Sequence, residues 1–241
     1  MRSYIHGVRS VLALLDARGG AVEELLVVAG GKGGREEAVS RARELGISSR
    51  EVSSRQLSEL CGSDGHQGLA ARASLPEYSD LGEVMARPPY VLLALDGITD
   101  PMNLGAMVRS AEALGASGAL VGKDRSAGIT SVSHKASAGA MEYLPVCREV
   151  NISRALRKLK EAGYWVYGAE SEGGESLESV EFSDKTVLVV GSEGKGARPG
   201  VKKEFDFRVS INLSGRTKSL NASVACAILV HDILKKACAD S

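Results

Sequence analysis

Residues 90–122 read YVLLALDGITDPMNLGAMVRSAEALGASGALVG. An apolar run, YVLLAL (90–95), ends at Asp96. The pair Asp100-Pro101 makes a turn, a helical apolar pattern follows over 103–115, and a second apolar run, GALVG, covers 118–122. Uninterrupted apolar runs suit strands buried on both faces, and a helix between two of them suits a parallel crossover. The alternation continues downstream. LPVCREV (144–150), YWVYGAE (164–170), TVLVVG (186–191) and FRVSI (207–211) predict strands, and helices are predicted over 130–141, 151–163, 198–205 and 221–238. From Tyr90 onward the pattern therefore predicts a mostly parallel α/β sheet covered on both faces.

Upstream of the linker, residues 4–74 read as a separate small α/β unit. Its helices are predicted in VRSVLALLDA (8–17), REEAVSRARELG (35–46) and SSRQLSELCG (53–62), and its strands in ELLVVA (24–29) and GLAARAS (68–74). Residues 75–89 read as a linker, in which Pro76, Pro88 and Pro89 bracket a helical turn and Pro88-Pro89 opposes longer helix. The expected division is 1–74, 75–89 and 90–241.

Thirty basic residues balance thirty acidic ones, so net charge argues for neither nucleic acid nor membrane, and only a local patch could do so. No apolar stretch approaches the length that spans a bilayer, and the opening residues lack a signal-peptide cleavage pattern; the expected location is cytoplasmic. Cys61, Cys147, Cys226 and Cys238 form no C-x-x-C pair and have no histidine at zinc-ligand spacing, so buried thiols are expected rather than a metal site. His6, His66, His134 and His231 have no triad context. His231 is expected in the core or at an interface, and His66 in a turn.

Three segments past strand ends invite a site. In LDGITDPMNLGAMVRSAEALGA (95–116), Asn103 is placed to cap a helix, and Arg109 lies six residues on, about 120° around it. A cap and a solvated charge would explain the pair as well. In VVGSEGKGARPGVKKEF (189–205), Gly191, Gly194 and Gly196 surround Glu193, as a ligand loop or a plain flexible turn would. In SINLSGRTKSLNASVA (210–225), Ser219 or Asn221 is placed to cap the last helix. Neither GSEGKGARPG nor SGRTKS meets the Walker spacing, and LVVAGGKGGREEAV (26–39) has Glu36 where a dinucleotide fingerprint needs its third glycine. From Lys195 to Lys218, seven basic residues face only Glu204 and Asp206, a positive patch suited to a polyanion. Its Lys195, Arg198, Arg216 and Lys218, with Lys32 in the Gly30–Gly34 loop and Arg35 just after it, are candidate RNA contacts.

Taken together, LDGITDPMNLGAMVRSAEALGA, LVVGSEGKGARPG and INLSGRTKSLNASVA resemble the three ordered motifs of the SpoU/TrmH-type RNA ribose 2'-O-methyltransferases, over most of residues 90–236. YIHGVRSVLALL and HQGLAARA make the N-terminal unit similar to the small (L30e-like) substrate-binding domain of the family's bacterial 23S rRNA guanosine 2'-O-methyltransferase, and KDRSAGIT after the first motif points the same way. The resemblance implies a SPOUT fold with a C-terminal trefoil knot, which periodicity alone could not predict. It implies S-adenosylmethionine held by Gly191, Glu193, Gly194, Ile211, Leu213, Ser219 and Leu220, and a homodimer sharing its active site. Asn103, Arg109, Glu193 and Asn221 match the family's catalytic positions. It implies no metal and no membrane partner. The expected reaction is methyl transfer to a ribose of 23S rRNA. A tRNA substrate, or a non-catalytic RNA-binding protein of the same fold, is the alternative.

Overall fold

The computed structural model describes residues 2–30, 32–217 and 219–237. In chain order its elements are β1 (Arg2–His6), α1 (Val8–Arg18), β2 (Val22–Val28), α2 (Gly34–Glu44), β3 (Ser48–Val52), α3 (Ser54–Cys61) and β4 (Leu69–Ser74). They continue with α4 (Leu81–Met85), β5 (Val91–Asp96), α5 (Pro101–Leu114), β6 (Gly118–Gly122), α6 (Ser131–Ala136), β7 (Val146–Glu149) and α7 (Ile152–Glu161). The last are β8 (Trp165–Ala169), β9 (Glu175–Ser176), β10 (Thr186–Gly191), α8 (Pro199–Lys202), β11 (Phe207–Ser210) and α9 (Ala222–Ala237). They form two compact units, one of residues 1–77 with 129–143, the other of 78–128 with 144–241.

The first unit is a four-stranded sheet in the order β1-β4-β2-β3, in which only β2 and β3 run parallel. Ile5, Leu25, Leu69 and Ala71 on one face bury against Val11, Leu14 and Leu15 of α1 and Ala38 and Ala42 of α2. On the other face Leu26, Val52 and Ala70 pack on Leu57 of α3. Neither β1 nor β3 is foreseen in the sequence reading. SSREV buries one residue in five, so it has no apolar alternation to read.

Residues 129–143 are expected with the C-terminal part, yet they fold onto the first unit. Two features account for this. Glu142, buried at its carboxylate, accepts from Arg18 Nε at 2.6 Å and bonds His134 Nε2 at 2.7 Å. Gly139, at φ 91°, lies so close to α1 that a Cβ there would stand 2.4 Å from that of Ala13.

The second unit carries a seven-stranded sheet in the order β7-β6-β5-β10-β8-β11-β9. Every pairing in it is parallel. Leu92, Ala94, Val187 and Val189 face Ile152, Leu156 and Leu159 of α7, Val201 of α8, and Leu81 and Val84 of α4. Part of the predicted linker is thus core: α4 buries two of its five residues. The alternate residues Leu93, Leu95, Leu188 and Val190 are buried on the opposite side, where α5 and α9 pack against the sheet and each other. Strand order reverses between β5 and β10, which lie side by side. Loops leaving their carboxyl ends diverge there, the place where open α/β sheets bind ligands.

Candidate functional site

Asp96 ends β5 opposite Gly191, the last residue of β10. From this shared edge the chain leaves in two directions. After β5 it enters α5, whose cap is Asp100, accepting from Met102 N at 2.9 Å; the expected cap, Asn103, is instead the third residue of the helix. Freed from capping, its amide points outward from the helix start. After β10 the chain folds into a tight loop closed by Ser192 N to Gly196 O (3.1 Å) and Gly196 N to Ser192 O (2.8 Å). Gly191 is obligatory beneath it, because a Cβ would stand 2.0 Å from backbone atoms of Gly196 and Ala197. Glu193 rides on that loop.

The third contributor arrives with α9. Asn221 precedes the helix and caps it, its Oδ1 accepting from Ser223 N at 2.8 Å and Ser223 Oγ at 2.6 Å. Of the two capping candidates, Asn221 is the cap and Ser219 is not. The other end of the Asn221 amide joins the site: Nδ2 donates to Glu193 Oε1 at 2.7 Å and to Asn103 Oδ1 at 3.2 Å. Asn103 Nδ2 donates to the same Glu193 oxygen at 3.3 Å, as does Ala222 N at 3.4 Å. One carboxylate oxygen of the second motif thus gathers three donors, one from the first motif and two from the third. The negative charge sits at the N-terminus of α9, where the helix dipole favours it. With Oε1 so engaged, Glu193 is built to hold two amides in register.

Beside this triad lies a cavity of about 560 Å³ lined by both loops. All seven residues expected around a cofactor, Gly191, Glu193, Gly194, Ile211, Leu213, Ser219 and Leu220, border it. Leu213 and Leu220 present apolar surface to it, at 39% and 37% exposure. Glu170 and Lys202, which the sequence reading missed, also line it and form an ion pair at 2.8 Å. Their spacing of 32 residues leaves no local signal in the chain.

Arg109 stands apart. It is exposed on α5, about 9 Å along the axis from Asn103 at the usual rise per residue, and has no hydrogen bond or ion pair among the described residues. The candidate RNA contacts divide. Lys32, Lys195 and Arg216 are exposed. Arg35 is half-buried and donates to Val28 O at 3.4 Å. Arg198 is not a loose surface cation: its backbone N and Nε each donate to the buried Asp96 carboxylate at 2.7 Å, and Nη2 also pairs with it. Lys218, like Cys238, lies outside the described residues. His231, expected to be packed, is exposed on α9. Burial pushes the thiols of Cys147 and Cys226 up to about 12 and that of Cys61 to about 11, so they stay protonated at neutral pH. Among the described residues no three His, Cys, Asp or Glu side chains converge as metal ligands, and no helix is long and apolar enough to cross a membrane.

Comparison with known proteins covers both units. Residues 90–231 match the model of the SpoU rRNA Methylase family, and residues 4–79 match that of RNA 2'-O ribose methyltransferase substrate binding. A 23S rRNA (guanosine-2'-O-)-methyltransferase of Xylella fastidiosa is 36% identical over 239 residues, 97% of this chain and 96% of that protein. An uncharacterized tRNA/rRNA methyltransferase of Synechocystis is 40% identical over 203 residues, 82% of this chain; the matched part is 53% of that longer protein. Among solved structures, an RNA 2'-O ribose methyltransferase superposes with a TM-score of 0.81 at 26% identity, covering 98% of this chain and 88% of the other.

Proposed function

The chain belongs to the SpoU rRNA Methylase family, and from that premise we propose that it transfers a methyl group from S-adenosylmethionine to a ribose 2'-hydroxyl of RNA, with a guanosine of 23S rRNA as target. The observation that carries this reading is the meeting of Asn103, Glu193 and Asn221 on the rim of the 560 Å³ cavity. The cavity fits the donor. Its apolar side chains Ile211, Leu213 and Leu220 suit a flat aromatic base, and its polar backbone and charged Glu170 and Lys202 suit the amino-acid end. When bound, S-adenosylmethionine supplies an electrophilic methyl group on a positively charged sulfur.

The protein's share is placement and charge. Holding the ribose hydroxyl in line lowers the barrier chiefly by removing rotational and translational freedom. Asn103, fixed through Glu193 and Asn221, orients the ribose. Arg109 fixes the target phosphate and polarises the hydroxyl; a guanidinium stays protonated, so the departing proton goes to the phosphate or to water. The distance of Arg109 from the triad leads to a dimer in which the site is shared. On α5, Met102 and Arg109 fall on one stripe, and on α9 Val224, Ile228 and His231 fall on another. Met102, Val224 and Ile228 are 56%, 48% and 39% exposed, an apolar face suited to a second copy. A partner on this face brings one subunit's Arg109 toward the other's Asn103. The insertion of β10 between β5 and β8, with β11 beyond, supports the trefoil threading expected of the family. RNA as substrate points to the cytoplasm.

Mapping 2'-O-methyl groups in rRNA and tRNA from cells with and without the gene tests the assignment. The reading requires one guanosine of 23S rRNA to lose its methyl group in the deletion. A lost tRNA methyl group would move the substrate, and an unchanged map of both RNAs would remove the activity.

A further inference from the structure

A second cavity, of about 340 Å³, opens on the same edge of the parallel sheet, where the segments following β6, β7 and β10 meet. Arg125, Val150, Asn151, Ser153, Arg198 and Gly200 border it, and no acidic side chain is among its lining residues. Arg125 is exposed and makes no hydrogen bond or ion pair among the described residues. Its backbone is held at φ 55°, the left-handed region that favours glycine, so the chain keeps an arginine where glycine would sit more easily. Arg198 faces the cavity with one edge of its guanidinium clamped to Asp96 and Nη1 left over. One arginine is therefore pre-set and the other free, a planar donor pair suited to phosphate oxygens.

We propose that this cavity grips a backbone phosphate of the RNA strand being methylated, with Arg125 as the principal contact and Arg198 as its fixed partner. The proposal rests on the methyltransferase reading above. Arg198 lies five residues past Glu193 on one continuous segment, so a phosphate held here sets the strand's register against the triad. Val150, 65% exposed at the mouth, offers apolar surface to the neighbouring sugar or base.

Arg125→Gly tests this with little risk to folding, because glycine adopts the left-handed conformation freely. Arg125→Lys restores the charge. The probe is unmodified, in vitro-transcribed 23S rRNA, bound to the full chain over a range of salt. Arg125→Gly is expected to weaken binding roughly tenfold and to flatten the slope of log K against log salt by about 0.7–0.9. Arg125→Lys is expected to recover most of the affinity. Affinity for S-adenosylmethionine should match the wild type, because Arg125 does not border the first cavity. An active wild type whose Arg125→Gly variant keeps full RNA affinity and slope overturns the phosphate site alone. So does a variant that loses only inorganic phosphate binding, which would make the occupant a free anion. A wild type that neither binds S-adenosylmethionine nor methylates RNA overturns both this site and the activity it serves.

Discussion

Asn221 does two jobs with one amide: its oxygen caps α9 and its nitrogen holds Glu193 and Asn103. The two are separable. Serine caps a helix about as well as asparagine, but it is too short to reach Glu193 while capping. Asn221→Ser should therefore unfold within a degree or two of the wild type and lose about 10²-fold in methyl transfer, the scale of a misplaced reacting group. Asn221→Ala should lose the activity and also about 1 kcal/mol of stability. Thermal unfolding paired with single-turnover rates tells the roles apart; a fully active Asn221→Ser would make the residue a cap only. At this scale the sequence is informative about which residues matter. Asn103, Glu193 and Asn221 are 28 to 118 residues apart, and the motif resemblance joined them before any geometry did. It is less informative about how they matter. Asn103 looked like a cap because Asp100, two positions before Met102, was read only as part of a turn.

Elements show the same division. Strands buried on both faces, such as VLLALD and TVLVVG, are apolar except for Asp96 and Thr186 at their ends and read directly. The edge strands β3 and β9 bury little and depend on their neighbours for existence, so no periodicity marks them. The anchoring of Arg198 is hidden from the sequence for a related reason. Its partner Asp96 is 102 residues away and becomes a neighbour only when β5 and β10 pair. That ion pair ties the Glu193 loop to the sheet. Asp96→Ala should cost about 3 kcal/mol, near the lower end for a broken buried pair because Arg198 can turn toward water. Urea unfolding measures it, and a loss under 1 kcal/mol would mean that the loop is held elsewhere.

Acid should act on the first unit. Burial lowers the His6 pKa, with Lys135, His66 and His134 adding to the effect against the hydrogen bond that His6 Nδ1 donates to Tyr4 O. The unfolded chain then takes up that proton first, and stability is lost as pH falls below about 6.5, the ordinary histidine value. For Glu142 burial acts upward, but bonds and charges from His134 and Arg18 outweigh it and bring the pKa down. Its contribution is complete above the ordinary carboxylate value and disappears as pH falls through the lowered one. Hydrogen exchange of α1 and β4 amides should thus accelerate in two stages, one beginning below about pH 6.5 and one below about pH 4.5, beyond the intrinsic pH dependence of exchange. Protection that stays level would contradict this.

For the molecule as a whole, the question is whether one chain makes a complete site. The order of the motifs makes the methyltransferase domain legible, but no local pattern marks residues 129–143 as part of the first unit. Their anchors, Gly139 against Ala13 and Glu142 against Arg18, pair positions more than 120 residues apart. The exposed α5 and α9 stripes were likewise hidden, since apolar residues on a helix read as core until the other faces are seen to be filled. If a second copy covers these stripes, Ile228→Glu should give a folded monomer by sedimentation, with unchanged binding of S-adenosylmethionine and little methyl transfer. A fully active monomer would mean that Arg109 acts within its own chain.

The central claim is that the triad and cavity methylate a ribose, and the most direct measurement is mass-spectrometric mapping of unmodified 23S rRNA after incubation with the purified chain and S-adenosylmethionine. The account predicts one guanosine carrying a single added methyl group on its 2'-oxygen, absent when Arg109→Ala replaces the wild type. A methyl group on a base, or an RNA left unmodified by a chain that binds the donor, would contradict it.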